Sequence, residues 1–263
     1  MTADRWSSGD AYESYVGRWS RLVATEFVAW LGVPAGAQWV DVGCGTGALT
    51  ETVLRDAAPS AVVGVDPSAP FVARARTAVP DALASFVVGD AQALPLPAAS
   101  ADVIASALSL NFVPDARAAV AEARRGVRPG GTLAAYVWDY ADGMLLMRHF
   151  WDAAVAVDPA AAALDEASRF AICAPDALAA AFGPGADVRG ITVPTVFRDF
   201  DDYWTPFLGG TGSAPAYVAS LDDRGRTALR EALRERLPAA ADGTIPLTAR
   251  AWAVRARRAP SGS

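Results

Sequence analysis

The sequence of 263 residues predicts an α/β fold in which helices cover both faces of a mostly parallel sheet. Two observations support this fold class. Short apolar runs typical of strands alternate with helix patterns at short intervals through residue 138, which is the arrangement of βαβ units. In addition, hydrophobic residues make up 52% of the chain and charged residues only 20%, so the chain can bury a sizeable core.

Five strands are predicted in the first half of the chain, at 39–42, 62–65, 85–88, 102–108 and 132–138. Helices are predicted before and between them, at 10–31, 48–54, 71–79 and 116–127. The last of these helices is expected to end at a turn formed by Pro129, Gly130 and Gly131, because proline and glycine interrupt helices.

The pattern changes after residue 138. Helices are predicted after Gly143, at 175–182 and at 216–237, and strands at 191–197 and 245–254. We therefore predict one domain with a core at 32–138, an inserted helical cap at about 139–212, and a closing helix and antiparallel last strand at about 213–258. The sheet is predicted to have seven strands.

The charge composition excludes several classes of protein. A net charge of −6 disfavours nucleic acid as a partner, since the phosphate backbone is also negative. All 23 basic residues are arginines, which excludes Schiff-base catalysis by lysine, pyridoxal phosphate anchoring and a P-loop lysine. Three arginines near the C-terminus are expected to form a solvated tail: Arg255, Arg257 and Arg258.

The chain has one histidine, His149, and two cysteines, Cys44 and Cys173. These numbers predict neither a disulfide framework, nor a metal site, nor a serine protease-like triad. Asp4 and Arg5 interrupt any apolar signal sequence, and no uncharged apolar stretch reaches the roughly 18 residues that a membrane span needs. We therefore expect a cytoplasmic protein without a membrane partner, acting as a monomer or homodimer.

A glycine run follows the first predicted strand, from Gly43 to Gly47. Glycine permits a sharp strand-to-helix turn and lets a ligand approach the bare backbone. Three aspartates accompany this run: Asp41 precedes it, and Asp66 and Asp90 end the next two strands. Because the carboxyl ends of parallel strands share one edge of the sheet, these carboxylates are expected to line one crevice, where they suit the ribose and adenine of a nucleoside cofactor.

The run Val40–Gly47 resembles motif I of class I methyltransferases that use S-adenosylmethionine (SAM), and Gly64–Ser68 is similar to their second-strand motif. Gly89–Pro95 resembles the adenine-side motif of the subgroup related to ubiquinone and menaquinone methyltransferases, known as methyltransferase domain 11. Arg128–Gly131 is similar to the turn before their fifth strand. This resemblance covers about residues 38–138 and implies a Rossmann-like fold. Two later segments are similar to bacterial methyltransferase-like proteins, at 169–173 and 203–208.

The resemblance implies roles for individual residues. SAM would be the cofactor and S-adenosylhomocysteine (SAH) the product. Gly43, Gly45 and Gly47 would pack against the methionine part, Asp66 would hold the ribose, and Asp90 with Ala91 would hold the adenine. Arg18 could pair with the methionine carboxylate, the alternative being a surface arginine. The implied cofactor site is completed by four further residues, Asp41, Cys44, Pro67 and Ser106.

The acceptor side is less defined. His149 is the candidate catalytic base because it carries the only imidazole, the alternative being a surface or packing residue. Asn111 occupies a position where many relatives carry histidine. The predicted acceptor-contacting residues are Asn111, Trp138, Tyr140, Trp151 and Tyr203, and each aromatic residue could instead belong to the core.

We therefore predict an enzyme that transfers a methyl group from SAM to a small-molecule acceptor. One alternative is a SAM-binding protein of the same fold without methyl transfer, of the cyclase or decarboxylase type. Another is an NAD(P)-dependent oxidoreductase, since a glycine loop also binds dinucleotides. The run Gly89-Asp90-Ala91-Gln92 argues against the oxidoreductase, which has no need for Asp90.

Overall fold

The computed structural model describes residues 18–209 and 212–260. Within them lie seven strands, β1 (Gln38–Val42), β2 (Ala61–Asp66), β3 (Ala84–Val88), β4 (Ala101–Ala107), β5 (Val127–Trp138), β6 (Asp187–Phe197) and β7 (Ile245–Arg257). They form one sheet in the order β3-β2-β1-β4-β5-β7-β6.

The sheet is mostly parallel, as predicted. β1 pairs in parallel with β2 and β4, β2 pairs with β3, and β4 pairs with β5. β7 runs antiparallel beside β5, which confirms the antiparallel last strand. The chain leaves β1 toward β2 on one side and returns to β4 on the other. The carboxyl ends of β1 and β4 therefore form a topological switch point, where open α/β sheets bind ligands.

Helices precede and follow the strands and cover both faces of the sheet, which also confirms the predicted fold class. Around the first five strands lie α1 (Arg18–Leu31), α2 (Ala48–Asp56), α3 (Ala69–Ala78) and α4 (Ala116–Gly126). After β5 come α5 (Leu145–Val157), α6 (Glu166–Arg169), α7 (Pro175–Phe182), α8 (Phe200–Trp204), α9 (Ser213–Ser220) and α10 (Asp223–Arg236). Residues 10–17 of the predicted first helix lie outside the described residues.

The predicted helix at 216–237 is in fact two helices, α9 and α10, so that prediction was wrong. The chain is extended at Leu221, and the Asp222 carboxylate accepts a hydrogen bond from the Gly225 N–H at 2.7 Å. An aspartate that accepts from a backbone N–H favours a helix start over a helix interior. The pattern alone predicted one helix because Arg and Glu residues fall on one helical face along this stretch, and that pattern does not register a break at Leu221.

The predicted turn at Pro129, Gly130 and Gly131 lies inside β5, which begins at Val127 rather than at residue 132. Gly130 adopts a φ of +78° and its N–H donates to the Arg258 carbonyl at 2.9 Å. The Arg258 N–H donates in return to the Gly131 carbonyl at 3.0 Å. The backbone bonds with the chain at the end of β7 thus continue through these residues.

The arginines near the C-terminus are built into the structure, so the prediction of a solvated tail was wrong for two of the three. The Arg258 guanidinium donates to two carbonyl oxygens in the last turn of α4, at 3.0 and 3.1 Å, and to the carbonyl of Val127 at the start of β5, at 2.6 Å. Arg255 pairs with Asp187 at 2.9 Å and stacks on the Trp30 ring at 4.4 Å. Arg257 is exposed.

By its internal contacts the described chain divides into two compact units. The core unit comprises 20–137, 172–191 and 252–260, and the second unit comprises 18–19, 138–171, 192–209 and 212–251. The predicted boundaries of core, cap and closing segment stay a prediction. No helix within the described residues is long and apolar enough to span a membrane.

Candidate functional site

The glycine loop after β1 belongs to the core unit, and all three of its glycines have positive φ, at +72° for Gly43, +53° for Gly45 and +95° for Gly47. A Cβ on Gly43 would lie 2.1 Å from the Ser109 Oγ, and one on Gly47 would lie 2.9 Å from a methyl of Val79. At Gly45, apart from this residue and its two chain neighbours, no heavy atom of the described residues lies within 4 Å of the corresponding position. The loop therefore packs against protein at its ends and presents bare backbone to open space in its middle.

Asp66 ends β2 and lies against this loop. One carboxylate oxygen accepts from the Gly45 N–H at 2.9 Å and the other from the Ser68 N–H at 2.8 Å. The residue is only 6% exposed, and this burial raises its pKa, while the two N–H donors act in the opposite direction. The structure thus brings the predicted residues Gly45 and Asp66 together. Each carboxylate oxygen retains capacity for a second donor.

Asp41 lies in β1, two residues before the loop, and is 2% exposed. One of its oxygens accepts from the backbone N–H and the hydroxyl of Thr50, at 3.1 and 2.8 Å. The other oxygen has no hydrogen-bond partner among the described residues. Burial raises the pKa of Asp41 to about 7, and the nearby charge of Asp66 adds to the effect. This carboxyl therefore titrates near neutral pH, where a donor or a cation beside it would stabilise its charged form.

The predicted adenine-side residues lie at the same edge of the sheet. β2 and β3 are neighbours, and the Gly89 N–H donates to the Asp66 carbonyl at 3.1 Å. Asp90 is exposed just beyond Gly89, and its carboxylate accepts from the Gln92 N–H at 2.8 Å. Pro67 is exposed beside Asp66.

A small apolar cavity lies between β4, β5 and α4. The structure brings two predicted cofactor residues together in its lining, because Ala91 and Ser106 both border it. Other lining residues are apolar and belong to the core unit, among them Val42, Leu110, Val113 and Phe182. A cavity of this kind accommodates an apolar group better than a charged one.

One predicted cofactor residue, Cys44, offers no side chain to this edge. The Cys44 side chain packs with Val72, Val79 and Phe86 in an apolar cluster, where burial raises the pKa of its thiol. Only the backbone of Cys44 is therefore available to a ligand. The side chain of Arg18 lies outside the part of the chain that the structure describes.

The predicted acceptor-side aromatics belong to the second unit. Three of them are buried, namely Trp138, Trp151 and Tyr203. The Trp151 indole N–H donates to Glu166, and the Tyr203 hydroxyl donates to the Leu146 carbonyl at 2.9 Å. Tyr140 is half-buried, with its ring 5.9 Å from that of Phe170. Trp151 and Tyr203 thus contribute to the packing of this unit, and their role in acceptor binding stays a prediction.

The two polar acceptor-side candidates lie in different units. His149, on α5 of the second unit, is half-buried, and this burial lowers its pKa while Asp152 raises it. Asn111, in the core unit, follows β4 in a short 3-10 helix, and its amide nitrogen has no hydrogen-bond partner among the described residues. Both roles stay predictions. Among the described residues, no group of three or more His, Cys, Asp or Glu side chains could hold a metal ion.

Two residues of note were missed by the sequence analysis. Ser109 bonds to the last carbonyl of β1 at 3.0 Å, although a serine after a strand usually indicates only a turn. Glu166 is buried and accepts from Trp151. No local pattern distinguishes either residue, because both gain their partners only in the folded chain.

Burial raises the pKa of Glu166 from 4.5 to about 7. The folded state therefore retains a proton that the unfolded state loses, and stability falls as pH rises from about 4.5 to 7. This difference in pKa between the folded and unfolded states lowers the free energy of unfolding by about 3 kcal/mol above pH 7. We expect E166Q, which keeps an acceptor for Trp151, to unfold at higher urea concentration than wild type at pH 8 but not at pH 4.5.

The matched control for this measurement is E235Q, on the exposed side of α10. Its urea midpoint should follow that of wild type at both pH values. If E166Q gained no stability over wild type between pH 4.5 and pH 8, Glu166 would not be a buried carboxyl that holds its proton.

The strand order, the antiparallel β7, the glycine loop after β1 and the acids after β2 and β3 together define the fold of class I SAM-dependent methyltransferases. Residues 40–135 match the family model of a methyltransferase domain. This segment therefore resembles the methyltransferase-domain family in sequence, and it has the fold of that class. A search of curated proteins found no significant match.

Solved structures support the same fold. The YcgJ protein from Bacillus subtilis is 18% identical, with 93% of this chain and 100% of that chain covered and a TM-score of 0.58. Phosphoethanolamine N-methyltransferase 2 of Haemonchus contortus, in complex with phosphomonomethylethanolamine and SAH, is 16% identical, with 96% and 57% covered and a TM-score of 0.57. The [4+2]-cyclase SpnF is 20% identical, with 99% and 89% covered and a TM-score of 0.54.

Proposed function

We propose that the protein binds SAM at the glycine loop and transfers its methyl group to a small-molecule acceptor, releasing SAH. The observation that carries this proposal is the open space at Gly45 beside the Asp66 carboxylate. A bare backbone next to a carboxylate at the carboxyl edge of β1 and β2 suits the close approach of a cofactor that carries a ribose.

The residues present fit SAM. Its ammonium and sulfonium groups are cations, and Asp41 offers a buried carboxyl oxygen that lacks a partner in the described structure. Asp66 is suited to accept hydrogen bonds from the ribose hydroxyls and Asp90 from the adenine amine. Ala91 follows Asp90 and borders a small apolar cavity. When bound, SAM supplies a methyl group activated by the positive sulfur.

The chain's own part is to bind, orient and exclude water. The hydrogen bond from the Gly45 N–H holds the Asp66 carboxylate in place. The group that would accept from the ribose hydroxyls is therefore oriented before the cofactor binds. Asp41 would release its proton to stabilise a cation beside it, since its pKa is about 7. With a single histidine in the chain, we infer an acceptor that is already nucleophilic, for which positioning and desolvation supply the rate.

The acceptor class follows from charge. The net charge of −6 favours a small molecule over a nucleic acid, whose phosphates would be repelled. We infer a cytoplasmic enzyme that acts as a monomer or homodimer. Likeness in fold to a [4+2]-cyclase supports a second candidate, a SAM-binding protein that does not transfer the methyl group.

The experiment that separates these candidates has two steps. Ligand is first extracted from the purified protein and identified by mass spectrometry, and SAM or SAH is expected. The protein is then incubated with methyl-labelled SAM and pools of small molecules. Label in a small-molecule product supports methyl transfer. Retained SAM with no labelled product from any pool supports the second candidate, and a nicotinamide cofactor in the extract contradicts both.

A further inference from the structure

The chain leaves β4 in an unusual backbone conformation. Leu108 follows the last residue of β4 and is buried. Its φ is +55°, a value that residues other than glycine rarely adopt. Its N–H is held by the Tyr136 carbonyl at 2.8 Å. Unfavourable backbone of this kind persists only where the surroundings fix it, and it is concentrated at functional sites.

The residue that follows, Ser109, contacts the start of the glycine loop. Its hydroxyl donates to the Val42 carbonyl at 3.0 Å and lies 2.7 Å from the hydroxyl of Ser106. The same oxygen occupies the space that a Cβ on Gly43 would need, at 2.1 Å. Gly43 is thus required to be glycine because Ser109 fills its side-chain position.

The loop is held from both neighbouring strands. On the β2 side, the N–H groups of Gly43 and Cys44 donate to the Val65 carbonyl, at 2.7 and 3.0 Å. On the β4 side, the Ser109 hydroxyl holds the last carbonyl of β1. These two attachments fix where the loop begins, and with it the Gly45 N–H that meets Asp66.

We propose that Ser109 is a positioning residue for cofactor binding, which fixes the Gly43–Gly47 loop from the β4 side. This inference rests on the proposed function. Ser109 acts through the loop rather than on the reacting atoms. Its loss should therefore weaken cofactor affinity and loosen the loop while the fold is retained.

The test is S109A, which removes the hydroxyl and keeps the Cβ beside Gly43. Calorimetric titration with SAH should show affinity reduced about 5- to 20-fold. Amide hydrogen exchange of the segment 41–50 should be faster than in wild type. The control is S100A, which removes a similar hydroxyl bond to the Pro97 carbonyl at 2.9 Å in an exposed loop and should alter neither readout.

S109C serves as a second variant if S109A fails to fold. It keeps a side chain of similar shape with only a weak donor and should weaken SAH binding about 2- to 5-fold. SAH affinity within twofold of wild type, with unchanged exchange at 41–50, would overturn the role of Ser109. If the wild type binds no SAH, the proposed function fails. The exchange comparison between S109A and S100A then still decides whether Ser109 positions the loop.

Discussion

Alanine at position 45 is expected to leave the protein folded and to weaken SAH binding about 5- to 150-fold. Apart from its own residue and the two chain neighbours, the added methyl meets no heavy atom of the described residues within 4 Å, and the N–H that Asp66 accepts is retained. In the complex, however, this methyl would occupy space that the cofactor needs. Inserting a methyl into a well-packed contact typically costs about 1–3 kcal/mol, which converts to that change in affinity.

G36A is the matched control for G45A. Gly36 has a φ of +82° and equally open surroundings, but it lies in a turn before β1. In both variants alanine must adopt a left-handed conformation, which lowers the free energy of unfolding by about 1–2 kcal/mol. Calorimetry with SAH and urea unfolding should therefore separate them, with similar losses of stability but a loss of binding only in G45A. Equal SAH affinity in the two variants would contradict a cofactor at Gly45.

Alanine at position 66 is expected to weaken SAH binding by about 2–4 kcal/mol, because two ribose hydroxyls lose a charged acceptor. This loss corresponds to about 30- to 700-fold in the dissociation constant. The Gly45 and Ser68 N–H groups also lose their acceptor, so the loop becomes less ordered. D66N, which keeps the shape of the side chain, should lose less than D66A.

D81A is the matched control for D66A. Asp81 is exposed in the turn before β3, and its carboxylate also accepts from a backbone N–H, that of Leu83 at 2.8 Å. Calorimetry should show that D81A binds SAH as wild type does. Unchanged affinity in a folded D66A protein would mean that Asp66 only stabilises the turn.

The sheet could be predicted from the sequence because its first strands are short apolar runs that end at glycine or aspartate. β1 and β2 were predicted to within one residue at each end. The glycine loop after β1 and the aspartate at the end of β2 could also be predicted, because glycines and acids at strand ends are local features. The contact between Gly45 and Asp66 then follows from the parallel pairing of β1 with β2.

Features that depend on distant parts of the chain could not be predicted. Arg258 lies more than 130 positions from the α4 carbonyls to which it donates, and no local pattern links them. The start of β5 was missed because glycine and proline normally end an element, whereas the chain at the end of β7 bonds to the glycines here. Ser109 was missed for a related reason, since its side chain fills the space that Gly43 leaves open by having no Cβ, and this contact forms only in the folded chain.

Titration calorimetry of the wild-type protein with SAH decides whether the protein binds SAM, as the Gly43–Gly47 loop and Asp66 predict. NADH serves as the comparison ligand, because it shares the adenosine part with SAH but is the cofactor of oxidoreductases. We predict one SAH site with a micromolar-scale dissociation constant, about −8 kcal/mol, and no measurable NADH binding. Stoichiometric NADH binding without any heat from SAH would contradict SAM binding by this protein.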